Sequence, residues 1–495
     1  MASTSRIRVR RAGVLGGLGV LAIVVLVLAR GGGQPPRLLA GGGGAGGTYD
    51  PLAYDPAASS GFEAAAAAGE SHLIYAKSPG GASAAAARTE RYGPLAAKAA
   101  LSGAVDSSTL EAIVMLESAG RPDVIAGADP SAAAGLTQIV AATATQLLGM
   151  HVDLPASRRL GGQIATAIAR GQTARARRLQ AERRRVDERF DPALALAGTE
   201  RYLKIANQVF GREDLAIESY HMGIGNLETA LRRFTATSGS GDGIAALVRQ
   251  NGLSYAKLCF DSTPLDHAST YTWLASLGDD SSTYLWRIRA AAGVLALHRS
   301  DPAGLAATAK LQTRAPSAEL VLREPGTTTF ATAGAVTAAA RSGALVRLPS
   351  GTQASTLGLG ADGGGPRFLR PDALATLLYM AAAVRAIVGP AAGQSLDVTA
   401  ATTPSAALRS TARAGRGLAK ADPLDASGYA FDIARTYGTP AEAQAFQFVL
   451  DRLSALNLIA WDREGPIIHV VVGSEAGRLD GLLKRLLPAA SAAQR

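Results

Sequence analysis

Residues 111–120 read Glu111-Ala112-Ile113-Val114-Met115-Leu116-Glu117-Ser118-Ala119-Gly120. With Leu110 before them, Ile113, Val114 and Leu116 lie on or near one face at 3.6-residue spacing, which predicts a packed helix. Asp106 and Ser107 stand where its N-cap belongs. One carboxyl, Glu117, falls at the end of this apolar helix. Partial desolvation there disfavours the ionised form, raises the pKa and keeps the group protonated near neutral pH. That is the state a general acid needs. Ser118 is placed to offer it a short orienting hydrogen bond.

Two further segments extend the pattern. Ala134-Gly135-Leu136-Thr137-Gln138-Ile139 puts a glycine, which allows close backbone approach, just before an expected helix start. Gln138 brings an amide that both donates and accepts, as sugar hydroxyls and N-acetyl groups require. Ala216-Ile217-Glu218-Ser219-Tyr220-His221-Met222-Gly223-Ile224-Gly225 is an apolar helix ending in two glycines. Tyr220 there can point its hydroxyl at a buried carboxyl. Taken singly, the three read as a glutamate near a helix end, a surface glutamine on a helix and a core tyrosine.

At 495 residues the chain is too long for one compact core, and two or three domains are expected. Arg6, Arg8, Arg10 and Arg11 precede an uncharged apolar run from Ala12 to Ala29, close to the ~20 residues that cross a bilayer. The arginines favour a cytoplasmic N-terminus. The run reads as a single-pass anchor (1–30), with a cleaved signal peptide as the alternative. Residues 31–49 are a glycine-rich tether, and 31–100 as a whole an expected Gly/Ala-rich, partly disordered stalk passing into the first helices. Helical periodicity runs from 101 to 300 and returns at 192–210, 213–221, 226–234 and 284–298. A polar, proline-bearing linker (301–330) leads to a smaller α+β domain (331–490), with a helix at 367–388, strands at 395–400 and 466–473, and an amphipathic helix at 440–457. The expected architecture is therefore multidomain: transmembrane helix, all-α domain, α+β domain.

Net charge is +10 with a pI of about 9.8, which suits a polyanionic partner. Eight arginines crowd positions 170–189 against Glu182, Asp187 and Glu188. They read as a solvated helix face or as a patch for anionic wall polymer or lipid headgroups. Nucleic acid is disfavoured outside the cell. The single cysteine, Cys259, forms no internal bridge and reads as a small buried apolar residue.

In this order the three segments resemble the soluble lytic transglycosylase (SLT) domain of the goose-type lysozyme-like group, over about 101–235 and toward 298. The family's Glu-Ser-x-Gly, Gly-Leu-Met-Gln and Ala-Tyr-Asn-Ala-Gly-x-Gly stand here as Glu117-Ser118-Ala119-Gly120, Gly135-Leu136-Thr137-Gln138 and Ser219-Tyr220-His221-Met222-Gly223-Ile224-Gly225. Asp191-Pro192, Gly198 and Tyr202-Leu203 match the intervening pattern. Thr137, His221, Met222 and Ala195 depart from it, and the arginine-rich stretch looks like an insertion. His221 can replace the usual Asn as a donor to substrate, titrate near neutral pH, or serve packing.

The resemblance implies an all-α lysozyme-like fold and cleavage of the β-1,4 bond between N-acetylmuramic acid and N-acetylglucosamine in peptidoglycan. Glu117 would be both acid and base, Ser118 and Tyr220 would orient it, and Gln138 and His221 would contact substrate. No cofactor or metal is implied; the partners are glycan strands, the membrane and other envelope proteins. Asp123 and Asp129 follow Glu117 and leave a water-activating hydrolytic muramidase open. A wall-binding protein that has lost activity is the other alternative. Residues 366–475 faintly resemble zinc D-alanyl-D-alanine carboxypeptidase-like domains through Ser427-Gly428-Tyr429-Ala430-Phe431-Asp432-Ile433 and His469. Asp425 stands where that family's first His belongs, so a degraded metal site and a non-catalytic domain are expected, with an active zinc carboxypeptidase as the alternative.

Overall fold

The computed structural model describes residues 50–486 except 238–242, 279, 314–321, 324–325, 361–366, 390–395 and 414–422. The apolar run at 12–29 and the tether to residue 49 lie outside the described residues. The fold is mostly helical, with a small sheet region toward the C-terminus.

The expected stalk differs from the structure from residue 50 onward. Helices α1 (Ser59–Lys77), α2 (Ala82–Glu90) and α3 (Gly93–Ala100) occupy it. Alanine is the strongest helix former, and here it also packs: Ala82, Ala85, Ala86 and Thr89 line the buried face of α2. Small side chains let helices approach closely while leaving little hydrophobic contrast along the sequence.

Helix α4 (Ser107–Ser118) is capped by Asp106, which accepts from the Thr109 amide at 2.7 Å, an interaction of about 1 kcal/mol. It ends in a left-handed turn at Ala119 (φ 52°) and Gly120 (φ 71°). A Cβ on Gly120 would come within 2.7 Å of the Arg88 carbonyl carbon and the Thr89 amide nitrogen, so α2 can pack there only against glycine.

Helices α5 (Leu154–Ala169) and α6 (Thr173–Val186) form an antiparallel hairpin with its own small core of Leu160, Ile164, Ala167, Ala176 and Leu179. This hairpin holds most of the arginine-rich stretch. Arg175, Arg177, Arg178 and Arg185 face solvent. Arg183 and Arg189 do not: Arg183 binds Asp123 at 2.9 Å and lies over the Phe190 ring. Arg189 is fully buried, paired with Asp187 at 2.8 Å, and donates to the carbonyls of Pro130, Ala132 and Ile139. The hairpin base is therefore bolted to the 130–139 loop.

Asp191 caps α7 (Pro192–Phe210), accepting from the Ala193 and Leu194 amides. Helices α8 (Glu213–Met222), α9 (Ile224–Phe234) and α10 (Tyr284–Ser300) follow. Helix α10 runs through the middle, packed on α1, α2, α4 and α8. Ion pairs fix it: Arg287 with Glu70 (2.9 Å) and with Asp280, and Arg299 with Glu111. The expected linker 301–330 also differs, because Pro302–Gln312 is a helix capped by Asp301 with Leu305 buried.

Two short strands, β1 (Val346–Arg347) and β2 (Phe368–Leu369), pair with each other. Helix α11 (Pro371–Val388) is long and apolar enough to cross a membrane, yet most of it is buried as the core helix of the C-terminal half. Strands β3 (Val398–Ala400), β4 (Ala430–Ala434), β5 (Ile459–Glu464) and β6 (Ile467–Val472) make an antiparallel sheet in the order β3-β4-β6-β5. Helix α12 (Pro440–Ala455) packs on α11 and on α1. One continuous hydrophobic core reaches from Leu52 to Leu482 across both halves. Arg452 of α12 donates to the Phe260 carbonyl at 2.6 Å, and Tyr271 meets Phe448 edge-on at 5.2 Å.

Removing one partner of a buried ion pair strands the other charge, at about 3–5 kcal/mol. Asp187→Ala therefore lowers stability by that order, measured by chemical unfolding. A change under 1 kcal/mol would show that the Arg189 network does not hold the 130–139 loop.

Candidate active site

Glu117 lies in the last turn of α4, where the outward carbonyls of the helix C-terminus disfavour a negative charge. It is partly buried, and enough protein packs round its carboxyl for desolvation to push its pKa up to about 7. The opposing influence is a hydrogen bond from the Tyr284 hydroxyl to Glu117 Oε1, 2.8 Å long.

Tyr284 is the residue the sequence reading missed. It opens α10, 167 residues beyond Glu117, and is 2% exposed. Its own pKa is driven well above the tyrosine range, first by burial and then by the Glu117 charge, so it acts as a donor. It was legible only as the first residue of the 284–298 periodic segment.

Tyr220 takes a neighbouring role. Its hydroxyl donates to the Thr137 carbonyl (2.8 Å) and lies 3.1 Å from Thr199 Oγ1, instead of reaching the carboxyl as expected. Its ring stacks on Tyr284 with centroids 6.2 Å apart and meets Tyr202 edge-on. Tyr220 thus ties the 135–138 turn to α8 and backs the Tyr284 ring.

Ser118 is also reassigned. Its hydroxyl donates to the Val114 carbonyl (3.1 Å) and accepts from the Arg121 amide (3.3 Å). Buried and facing its own helix, it shapes the turn after Glu117.

Gln138 sits in a tight turn, not in the expected helix, which begins only at Ala141. Residues Ala134 and Ile139 bridge across it, and Gln138 has φ 53°. Its side-chain amide donates to the carbonyls of Gly135 (2.8 Å) and Val124 (3.3 Å). Gly135 is required: at φ 82°, a Cβ would collide with the Arg189 carbonyl oxygen. His221 is exposed, its ring stacked on Tyr284 at 5.3 Å with Nδ1 3.0 Å from Ser281 Oγ.

A second buried carboxyl supports this group. Glu218 on α8 is fully buried and accepts from the Leu285 amide at 2.8 Å, next to Tyr284. Burial pushes its pKa up to about 8, against the Leu285 and Tyr255 hydrogen bonds. The other nearby acids are committed. Asp123 is paired with Arg183, and Asp129 with Arg158 through two hydrogen bonds of 2.9 and 3.0 Å. The Asp129 carboxyl is held below its usual range, first by the Ser131 amide.

Cys259 is only partly buried, and burial pushes its thiol up to about 11, so it is inert as a nucleophile near neutral pH. In the C-terminal half the residues behind the faint peptidase resemblance do meet. His469 on β6 is register partner to Asp432 on β4, with Nδ1 2.8 Å from Asp432 Oδ1 and 3.9 Å from Asp425 Oδ1. Among the described residues, no group of three or more His, Cys, Asp or Glu side chains could hold a metal ion.

Residues 94–161 match the transglycosylase SLT domain family. The helical half thus carries a lysozyme-like SLT domain, and the matched stretch includes Glu117, Ser118 and Gln138. This family points to lytic-transglycosylase-like activity on peptidoglycan. No curated relative matches the chain.

Glu117 and Glu218 both bind protons more tightly in the folded chain than in the unfolded one. Stability therefore falls as pH rises from about 4.5 through 7 and 8. Glu218→Gln flattens this fall, read as the change in Tm between pH 5 and pH 8.5. An unchanged slope would mean that Glu218 is ionised in the fold.

Proposed function

We propose that the chain is a peptidoglycan lytic transglycosylase with Glu117 as its sole acid/base, anchored in the cell membrane by residues 12–29 with the SLT domain outside. The observation that carries this is a lone carboxyl at the motif position with its pKa near 7 and a tyrosine hydroxyl on it. It can be protonated at rest and ionised after one transfer, as a single acid/base requires.

In the proposed reaction Glu117 gives its proton to the glycosidic oxygen, and the bond from that oxygen to muramoyl C1 breaks. The substrate's acetamido group stabilises the oxocarbenium-like carbon, the task a second carboxylate performs in most glycosidases. Glu117, now a carboxylate hydrogen-bonded to Tyr284, takes the proton from the muramoyl 6-hydroxyl. The 6-oxygen closes on C1, giving the 1,6-anhydro product and regenerating the acid, with no water consumed. Engagement of Asp123 and Asp129 by arginines supports this over hydrolysis, because an ion-paired carboxylate is a poor base for water. Gln138, with its amide protons directed to backbone, offers substrate its carbonyl oxygen. His221 stands exposed beside the Tyr284 ring, where the family pattern implies a sugar contact.

Mass spectrometry of muropeptides released from isolated peptidoglycan tests the reading. Products ending in 1,6-anhydro-muramic acid are expected, with a loss of at least 10³-fold in Glu117→Gln. Products heavier by one water would make the protein a hydrolytic muramidase. Intact strands, bound but uncut by the folded wild type, would make it a wall-binding protein.

The Tyr284 hydrogen bond lowers the Glu117 pKa. The fall in kcat/KM with rising pH is therefore centred near 7 in the wild type and moves to higher pH in Tyr284→Phe. A limb that stays put or moves lower would remove Tyr284 from contact with the acid.

A further inference from the structure

A cavity of about 520 Å³ opens beside the catalytic helix, lined by Arg88, Arg91, Tyr92, Gly120, Arg121 and the Pro122–Val124 segment. It borders both motif segments. Gly120 belongs to the turn that ends α4, three residues past Glu117, and the Val124 carbonyl receives the Gln138 amide. Its wall carries three guanidinium groups and one carboxylate, Asp123, which Arg183 already neutralises at 2.9 Å. Arg184 adds a further cation 3.9 Å from Asp123.

The three arginines are poorly compensated. Arg88 is held by backbone, with Nε on the Ala119 carbonyl (2.9 Å) and Nη2 on the Pro79 carbonyl. Burial and then the charges of Arg121 and Arg91 hold its pKa below the usual arginine value. Arg121 spends only Nε, on the Ser118 carbonyl at 2.9 Å. The Arg91 side chain is exposed and makes no hydrogen bond or ion pair among the described residues. Like charges gathered round a concave wall repel one another unless an anion sits between them, and guanidinium forks match carboxylate or phosphate oxygens two at a time.

We propose that this cavity is an oxyanion subsite, in which Arg91 and Arg121, steadied by Arg88, grip an anionic substituent carried by the glycan strand being cut. The chemistry is shared by a peptide-stem carboxylate and by a phosphodiester attached to the strand. This rests on the reading of the chain as a protein that acts on wall glycan. The subsite favours decorated strands over bare ones and seats the substituent beside the end of α4, which sets the register of the sugar chain against Glu117.

The test uses binding, so that it stands apart from turnover. The full chain carrying Glu117→Gln is titrated, in detergent, with three forms of soluble wall glycan: intact, peptide-stripped by an amidase with the freed muramoyl carboxylate capped as its methylamide, and phosphate-stripped by hydrofluoric acid. One stripping is expected to weaken binding about tenfold. Loss on peptide removal assigns the carboxylate, and loss on acid treatment assigns the phosphate. Adding Arg91→Gln and Arg121→Gln is expected to reproduce that loss on intact strands with no further loss on the stripped form, while Arg91→Lys keeps most of the binding. Arg91→Gln alone, at an exposed side chain with no partner, controls for folding and should give part of the loss. Equal binding of all three materials by the parent would overturn the proposal. So would a double variant that binds as the parent does, or one weakened uniformly on all three. If the wild type cleaves no strand, the catalytic reading fails while this binding result still stands or falls by itself.

Discussion

A carboxylic acid that must hold its proton near pH 7 and then release it needs a dry setting and one well-placed donor. The Glu117–Tyr284 hydrogen bond supplies the donor, and the dry setting comes from the crossing of α4 and α10. These requirements oppose each other, since burial raises the pKa and the phenol lowers it. The balance near 7 survives only if the phenol stays at hydrogen-bonding distance. Tyr284 is accordingly constrained from several sides: Tyr220 and His221 stack on its ring, Glu218 holds the next amide, and Arg287 pins the following turn to Glu70.

Much of the helical half was legible because its helices carry large apolar side chains, gathered on a distinct face in α7 and α9. The periodic segments at 192–210, 213–221, 226–234 and 284–298 correspond to α7 through α10 within a residue or two. Residues 59–100 were not, because a helix that buries alanine has a weak apolar stripe, and glycine and serine beside it read as tether. Of the site, Glu117 and Gln138 stand in short motifs, but that Gln138 sits in a tight turn and not at a helix start could not be read from them. The partners of Ser118 and Tyr220 could not, since a hydroxyl has many acceptors within reach and only the fold selects one. Tyr284 was hidden by distance, because local pattern carries no information about which of twelve tyrosines crosses 167 residues to meet a carboxyl.

The basic character divides by burial into different jobs. Arg183 and Arg189 are structural, fastening the α5–α6 hairpin to the loop that carries Gln138. Arg287, Arg299 and Arg452 clamp helices. What remains exposed on α6 is a solvated face, whereas Arg91 and Arg121 face a cavity next to the end of α4. Composition alone merges these classes, and a pI near 9.8 overstates how much positive charge is free to meet a polyanion.

The C-terminal half bears on the same carboxyl through packing. The C-terminal end of α12 presses on α1 so closely that a Cβ on Gly69 would lie 2.8 Å from the Ser454 and Ala455 carbonyl oxygens. Arg452 bridges to Leu52 and Phe260, and Phe260 packs on Phe62 of α1. Helix α1 in turn supports α10 through Glu70 and Arg287, three residues after Tyr284. Close-packed contacts of this kind transmit small shifts instead of absorbing them. Loosening α12 would therefore displace α10 before it disturbed α4, and the first consequence at the site would be a longer Tyr284–Glu117 bond. On this argument the sheet-bearing half bears on the acid through packing without touching it, while α12 itself rests on β5 and the Asp432–His469 pair joins facing positions of β4 and β6.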